Sequence, residues 1–206
     1  MIKARHHFFI YPLLKLTASI LIKQHFNSVT IDSDFIDRDC SVLVISNHTS
    51  WWDGFWIEHL NRNILHRRFY FMMLHNQLEK RWYFKHTGGY PVKKNTRQVI
   101  QSIQFTTTLL QNQENMVLMF PQGIIHSSYS SHFHFEHGID HIINQSKSEF
   151  QIMFTACLTD YFSNSRPNLF IYTKTVSSEY LKNRSAEKEY TDFYNLTLSQ
   201  HREKVS

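Results

Sequence analysis

The chain is poor in the residues that mark several protein classes. It has only two cysteines, Cys40 and Cys157, in 206 residues, with no C-x-x-C spacing. That excludes a disulfide framework and makes a reducing compartment the simpler expectation. Five glycines and four prolines exclude collagen-like or low-complexity character. No apolar run reaches the roughly 20 residues a spanning helix needs, and mean hydropathy is −0.39, so a polytopic membrane protein is not expected. A cleaved signal is not expected either: Lys15 and Lys23 interrupt the apolar start, and no A-x-A site follows. What is abundant is aromatic: 17 Phe, 10 Tyr and 4 Trp within a hydrophobic share of 42%, enough for a sizeable core and against disorder. The formal charge is +5, which suggests an anionic partner. Fourteen histidines make that charge sensitive to pH between about 5 and 8.

Residues 1–26 are the most apolar stretch. On a helix, Lys15, Ser19 and Lys23 form one narrow polar stripe, while Phe9, Leu13, Leu16 and Ile20 cover the rest. Pro12 falls early enough for a first turn. The pattern fits an amphipathic helix in a membrane interface, its basic groups toward headgroups; a terminal helix buried against its own domain is the alternative. Beyond it, Val42–Ser46 reads as a buried strand and 51–61 as a helix. Further strands are expected at Phe69–Leu74, Tyr90–Val92, Met116–Phe120, Phe150–Leu158 and Leu169–Val176, and helices at 96–113 and Gly138–Ser146. Ser185 is placed to cap a last helix running to about residue 200. Strands interleaved with helices predict an α/β fold, a mostly buried central sheet flanked by helices. The expected organisation is an N-terminal amphipathic helix over 1–26 and one α/β domain over 27–206.

The segment Asn47-His48-Thr49-Ser50-Trp51-Trp52-Asp53 follows the first buried strand directly. Open α/β sheets place ligands at the C-terminal edge of such strands. His48 is a candidate general base, and a turn there brings Asp53 to one imidazole nitrogen as its orienter. The nucleophile would then be a substrate hydroxyl. Ser50 is an alternative nucleophile without the G-x-S-x-G elbow. Alternatively Asn47 or Ser50 caps a helix, and Asp53 complements its dipole.

This heptapeptide has the N-H-x4-D form of the glycerolipid and lysophospholipid acyltransferase family, which includes the 1-acylglycerol-3-phosphate acyltransferases. Gly88-Gly89-Tyr90-Pro91-Val92-Lys93-Lys94 resembles the family's second block, and Met119-Phe120-Pro121-Gln122-Gly123 its third, usually F-P-E-G. The strand Ile152–Leu158 stands in place of the fourth. The resemblance implies a glycerol-3-phosphate acyltransferase-like fold and an O-acyltransferase of lipid metabolism, as in phospholipid biosynthesis. It implies acyl-coenzyme A or acyl carrier protein thioester as donor, and no further cofactor or metal. His48 would be the base and Asp53 its orienter. Asn47, Lys93, Lys94, Phe120, Pro121, Gln122 and Gly123 would contact substrate, with an oxyanion held by backbone amides near Gly123 or by the Gln122 amide. Trp51 and Trp52 would line the acyl path or pack on the sheet.

The chain departs from the family in the acceptor blocks. Gln122 stands for the glutamate, Ile124-Ile125 for Thr-Arg, Lys94 for the arginine, and Phe154-Thr155-Ala156 lacks the fourth block's proline. A lysine is a point charge without the fork that suits phosphate. These changes point away from lysophosphatidic acid and toward a less anionic hydroxyl, on another lysolipid, a glycolipid or a glycosylated isoprenoid. Lys3, Arg5, Lys15 and Lys23 would dock the enzyme as a peripheral protein on anionic lipid at the cytoplasmic face of the cell membrane. No nucleic-acid partner is expected, since no basic helix or aromatic RNP-like segment is present. Two other readings remain at this stage. One is a lipid-binding relative without turnover. The other is a metal site built from His126, His132, His134, His137 and His141, of which His137 and His141 lie one helical turn apart.

Overall fold

A computed structural model describes residues 4–93, 97–130 and 132–204. Lys3 and Lys94, two of the expected lipid-facing and substrate-facing cations, lie outside the described residues. Seven strands form one sheet: β1 (Ser28–Asp32), β2 (Val42–Ser46), β3 (Arg68–Leu74), β4 (Gly89–Val92), β5 (Asn115–Met119), β6 (Gln151–Asp160) and β7 (Asn168–Ser177). Their order is β1-β7-β6-β2-β5-β3-β4. From β6 to β4 neighbouring strands are parallel; β7 turns back antiparallel to β6, and β1 follows β7. Among the described residues seven α-helices accompany the sheet: α1 (Ile10–His25), α2 (Asp53–Leu60), α3 (His75–Lys80), α4 (Gln98–Leu109), α5 (Gly138–Gln145), α6 (Ser178–Leu181) and α7 (Ala186–Lys204).

The central strands β2 and β5 are buried at every residue, and largely apolar, because both faces are covered. Side chains alternate along a strand, so Leu43 and Ile45 of β2 join one core with Val117, Phe154, Ile142 and Tyr190. Val42 and Val44 join the other, with Leu118, Met153, Ile57 and Ile22. The fold is therefore three layers, with α4, α5 and α7 on one side of the sheet and α1 and α2 on the other. Ser185 caps α7 as expected, its Oγ accepting the Lys188 N–H at 3.3 Å. Three elements went unexpected, α6 (a single turn after β7) being one. β1 is a polar edge strand, and α3 carries no apolar face to announce it.

The expected N-terminal helix is present over a shorter range than 1–26, and of the cations expected to meet lipid Lys15 turns toward the protein while Arg5 and Lys23 are exposed. Residues 5–7 are extended against 85–88: the His7 N–H donates to the His86 carbonyl at 2.8 Å, and the Gly88 N–H to that of Arg5 at 3.1 Å. The helix starts only at Ile10, and it packs on the domain through Ala18 and Ile22 with Lys15 and Ser19 of the polar stripe beside them, while Lys23 stays exposed. Lys15 Nζ lies 3.7 Å from Glu58 Oε1 of α2, and Arg62 donates to the Lys15 carbonyl and to Ser19 Oγ. Glu58 is buried, where a carboxyl group gains from a nearby cation and a donor; Lys15 of the stripe is that cation, and Asn61 of the protein donates to Oε2 at 3.4 Å. Ala18 and Ile22 are the apolar residues of α1 that turn inward, while Phe8, Phe9, Leu13, Leu16 and Ile20 are exposed. No helix among the described residues is long and apolar enough to cross a membrane.

Candidate active site

The parallel arrangement puts the C-terminal ends of β2 and β5 side by side, with Ile45 opposite Met119. The two most specific segments of the sequence, 47–53 and 120–123, leave the sheet at this point. Asn47 continues β2 with its side chain: Nδ2 donates to the Cys157 carbonyl and Oδ1 accepts the Cys157 N–H, both at 2.9 Å. Its amide thus mimics one more residue of ladder against β6. Asn47, expected to meet substrate, has both ends of its side-chain amide committed to the protein.

The chain then turns tightly into α2. Asp53 is the first residue of that helix and fully buried. Its Oδ2 accepts the Thr49 N–H at 2.8 Å, the Ser50 N–H at 2.9 Å and His48 Nδ1 at 2.7 Å. The turn and the carboxylate therefore define each other: the backbone donors fix the oxygen, and the oxygen fixes the imidazole. Position at a helix start also favours the negative charge. With Nδ1 engaged, Nε2 is the nitrogen left for a substrate, and the ring keeps 23% of its surface exposed. Ser50, the alternative nucleophile, instead accepts the Trp52 N–H at 3.0 Å and closes the turn.

Residues after β5 hold His48 from the other side. Phe120 stacks on the imidazole at 4.2 Å with 15° between planes. Gln122 is buried, and its Oε1 accepts the His48 N–H at 2.9 Å. His126 donates its own N–H to the His48 carbonyl at 2.8 Å. Both main-chain polar groups of His48 are thus taken by one loop. Gly123 has φ 66°, a left-handed conformation that favours glycine, and its N–H donates to the Phe120 carbonyl at 3.0 Å. That N–H is used by the turn, so an oxyanion would need another donor. Pro121 is buried, its carbonyl accepting the Glu136 N–H at 2.9 Å.

Two neighbouring groups carry no charge at neutral pH. Burial pushes the Cys157 thiol and the Tyr190 phenol well above their ordinary pKa, and the Tyr190 hydroxyl donates to the Thr155 carbonyl at 2.9 Å. Lys93 is exposed just beyond β4, at the same edge of the sheet but two strands from β5. His75 opens α3 at the end of the intervening strand β3 and pairs with Glu79 at 3.3 Å. No sequence signal marked it. The histidines 126, 132, 134, 137 and 141 do not converge: among the described residues, no three His, Cys, Asp or Glu side chains could hold a metal ion together.

A family model described as Acyltransferase matches residues 28–157, well over half of the chain. This chain belongs to the acyltransferase family. No curated protein matches it. The matched span of this acyltransferase runs from β1 to the middle of β6 and includes His48, Asp53 and the 120–123 turn. It leaves out α1 and α7, so the helix with the exposed apolar face is an addition to the shared part. Acyl transfer is the chemistry of the family, and the base-and-orienter geometry at the end of β2 suits it.

Proposed function

We propose that this acyltransferase moves a fatty acyl group from a thioester, of coenzyme A or acyl carrier protein, to a hydroxyl of a membrane lipid. The observation that carries the reading is the 2.7 Å bond from His48 Nδ1 to an Asp53 carboxylate locked by two backbone donors. His48 Nε2 removes the proton of the acceptor hydroxyl as its oxygen attacks the thioester carbonyl. The tetrahedral adduct collapses, the C–S bond breaks, and the sulfur leaves as the thiol with the proton returned by the imidazolium. The products are an ester and a free thiol. Base catalysis of this kind supplies about 10²–10⁴-fold, and Asp53 stabilises the imidazolium formed on the way, as the carboxylate of a catalytic triad does.

The acceptor is a lipid hydroxyl less anionic than that of lysophosphatidic acid. Gln122 is neutral and spent on the His48 backbone, Ile124 and Ile125 occupy the next positions, and both are exposed. Such a lip favours an uncharged or zwitterionic headgroup, with Lys93 at the rim for a phosphate of donor or acceptor. The lipid is met at a bilayer, where the exposed ridge Phe8, Phe9, Leu13, Leu16 and Ile20 inserts. Phe26, just past the end of α1, packs on Trp52 at 5.2 Å and Trp52 on exposed Trp51 at 5.3 Å, so the C-terminal end of that helix lies beside the 47–53 turn. A cytoplasmic face fits, because thioester donors are found there.

The test is release of free thiol from palmitoyl-coenzyme A, corrected for hydrolysis, with a panel of lysolipids and glycolipids in vesicles. Acceptor-dependent release that disappears in His48→Ala is expected. Equal release in His48→Ala, or none with any acceptor from either coenzyme A or carrier protein, overturns the reading.

A further inference from the structure

Gln122 stands where the family pattern has a glutamate, in a block associated with acceptor binding. Its geometry assigns it differently. Oε1 accepts the main-chain N–H of His48 at 2.9 Å across 74 residues of sequence, and the residue is 5% exposed. The amide must present oxygen here, because its partner is a donor. A second bond, from the His126 N–H to the His48 carbonyl, completes a clamp on the backbone of the base. A glutamate could make the same bond but would bring a second carboxylate beside His48.

The ionisable groups around the dyad show what that second charge would meet. Asp53 comes from α2, Cys157 from β6 and Tyr190 from α7, and the 120–137 loop contributes His126 and Glu136 through its main-chain bonds to His48 and Pro121. The thiol and the phenol are protonated, held so by burial. Asp53 is the carboxylate bonded to the ring.

Resting on the acyl-transfer reading of this site, we propose that Gln122 is a positioning residue that holds His48 from the neighbouring strand end. Being uncharged, it adds no second carboxylate to the one, Asp53, that is hydrogen-bonded to the ring of the base. A residue at this position acts on kcat and on its pH dependence rather than on capture of the acceptor.

Three proteins decide it: wild type, Gln122→Met, which keeps the volume but offers no acceptor oxygen, and Gln122→Glu, which keeps the oxygen and adds charge. The His48 imidazole is titrated by NMR with ring-labelled histidine and no substrate present, using His48→Ala to assign the signal. In Q122E its pKa rises by about half a unit to one unit, as a carboxylate a few ångströms away requires. The acid limb of kcat against pH moves up by the same amount, and transfer is recovered at higher pH. In Q122M kcat falls by about 10- to 100-fold, the cost of misplacing a base by a fraction of an ångström to one ångström, while the acceptor KM changes less than about 3-fold.

A raised acceptor KM with kcat intact in Q122M would overturn the proposal and make Gln122 an acceptor ligand. An unchanged His48 titration in Q122E would overturn it too, and decides the matter if Q122M does not fold. Because the titration needs no turnover, it judges Gln122 even if His48→Ala retains acyl transfer and the acyl-transfer reading itself falls.

Discussion

Lys15 and Glu58 meet at 3.7 Å beneath the N-terminal helix, the lysine partly exposed and the glutamate buried. The contact fixes which side of α1 looks outward. It is completed by the Asn61 amide, which donates to Glu58 Oε2 at 3.4 Å, and by Arg62, which reaches the Lys15 carbonyl and Ser19.

Glu58 makes stability depend on pH in a stated direction. Burial raises its pKa above the ordinary 4.5, with Lys15, Asn61 and Arg62 opposing. The folded state therefore holds the proton more tightly than the unfolded chain. This group's contribution is complete below about pH 4.5 and is lost as pH rises through the folded value. Glu58→Gln keeps an acceptor for Asn61 and does not titrate. Urea denaturation at pH 4 and pH 8 should show the wild type losing stability relative to E58Q on going up; parallel behaviour would refute the assignment.

The outward face of α1 can be tested apart from its inward one. Leu13→Glu with Leu16→Glu alters two exposed residues, so melting should change little. Each leucine removed from a lipid environment forfeits about 1.5–3 kcal/mol, and the double variant should partition onto phosphatidylcholine vesicles at least about 100-fold less. Because Lys15 faces the protein while Arg5 and Lys23 are exposed, anionic vesicles should bind the wild type more tightly than neutral ones by roughly 10- to 30-fold, about 1 kcal/mol for each exposed cation. Undiminished sedimentation of the variant with vesicles would show that this ridge is not the lipid contact.

Two glycines should answer alanine in opposite ways. Gly88 has φ 96°, and a Cβ there would sit 2.1 Å from the Phe69 carbonyl oxygen and 2.8 Å from His6 Nε2. Backbone strain of about 1–3 kcal/mol adds to that clash, so Gly88→Ala should lower Tm by roughly 5–10 °C. Gly54, in the first turn of α2, has open space where the Cβ would go, and Gly54→Ala should be neutral or stabilising by about 0.5–1 kcal/mol. Differential scanning calorimetry of both would expose an error in either placement.

Asn47 is the costliest polar residue to remove from the site region without touching the reacting atoms. Asn47→Ala strands the Cys157 N–H and carbonyl in the core, at about 1–3 kcal/mol for a buried group left unpaired. An overall loss near 2–4 kcal/mol is expected in urea denaturation. If Asn47→Ala melted like the wild type and only the acceptor KM rose, Asn47 would be a substrate ligand and not an extension of β2.

The parts of this protein legible in sequence are those set by near neighbours. The run VLVIS is apolar throughout, so a strand covered on both faces follows. His48 and Asp53 are five residues apart with a turn between them, and that spacing alone placed the carboxylate at the imidazole, where the structure has it. Ser185 reads as a cap from position. The weak elements escaped for a physical reason: β1 alternates exposed and half-buried residues at a sheet edge, and α3 owes its existence to its place between β3 and β4.

Long-range partners were beyond local reading. Nothing in the pattern SWWD announces that Asn47 will hydrogen-bond 110 residues away, or that Phe120 will stack on His48. The stripe Lys15, Ser19, Lys23 is a correct reading of helical period, yet period does not choose which side faces in. The buried Glu58 on another helix meets Lys15, and Ala18 and Ile22 turn into the core on the same side of α1, contacts that lie in other elements and not in the period.

By itself, then, the sequence determined the α/β class, the buried central strands and the chemical pairing of His48 with Asp53, since each depends on composition or on spacing within one turn or strand. Tertiary structure alone decided the rest. It joined the ends of β2 and β5 so that Gln122 and His126 grip the backbone of His48, and it turned the apolar face of α1 outward. Both are outcomes of burial and hydrogen-bond satisfaction between segments distant in the chain, which no local pattern encodes.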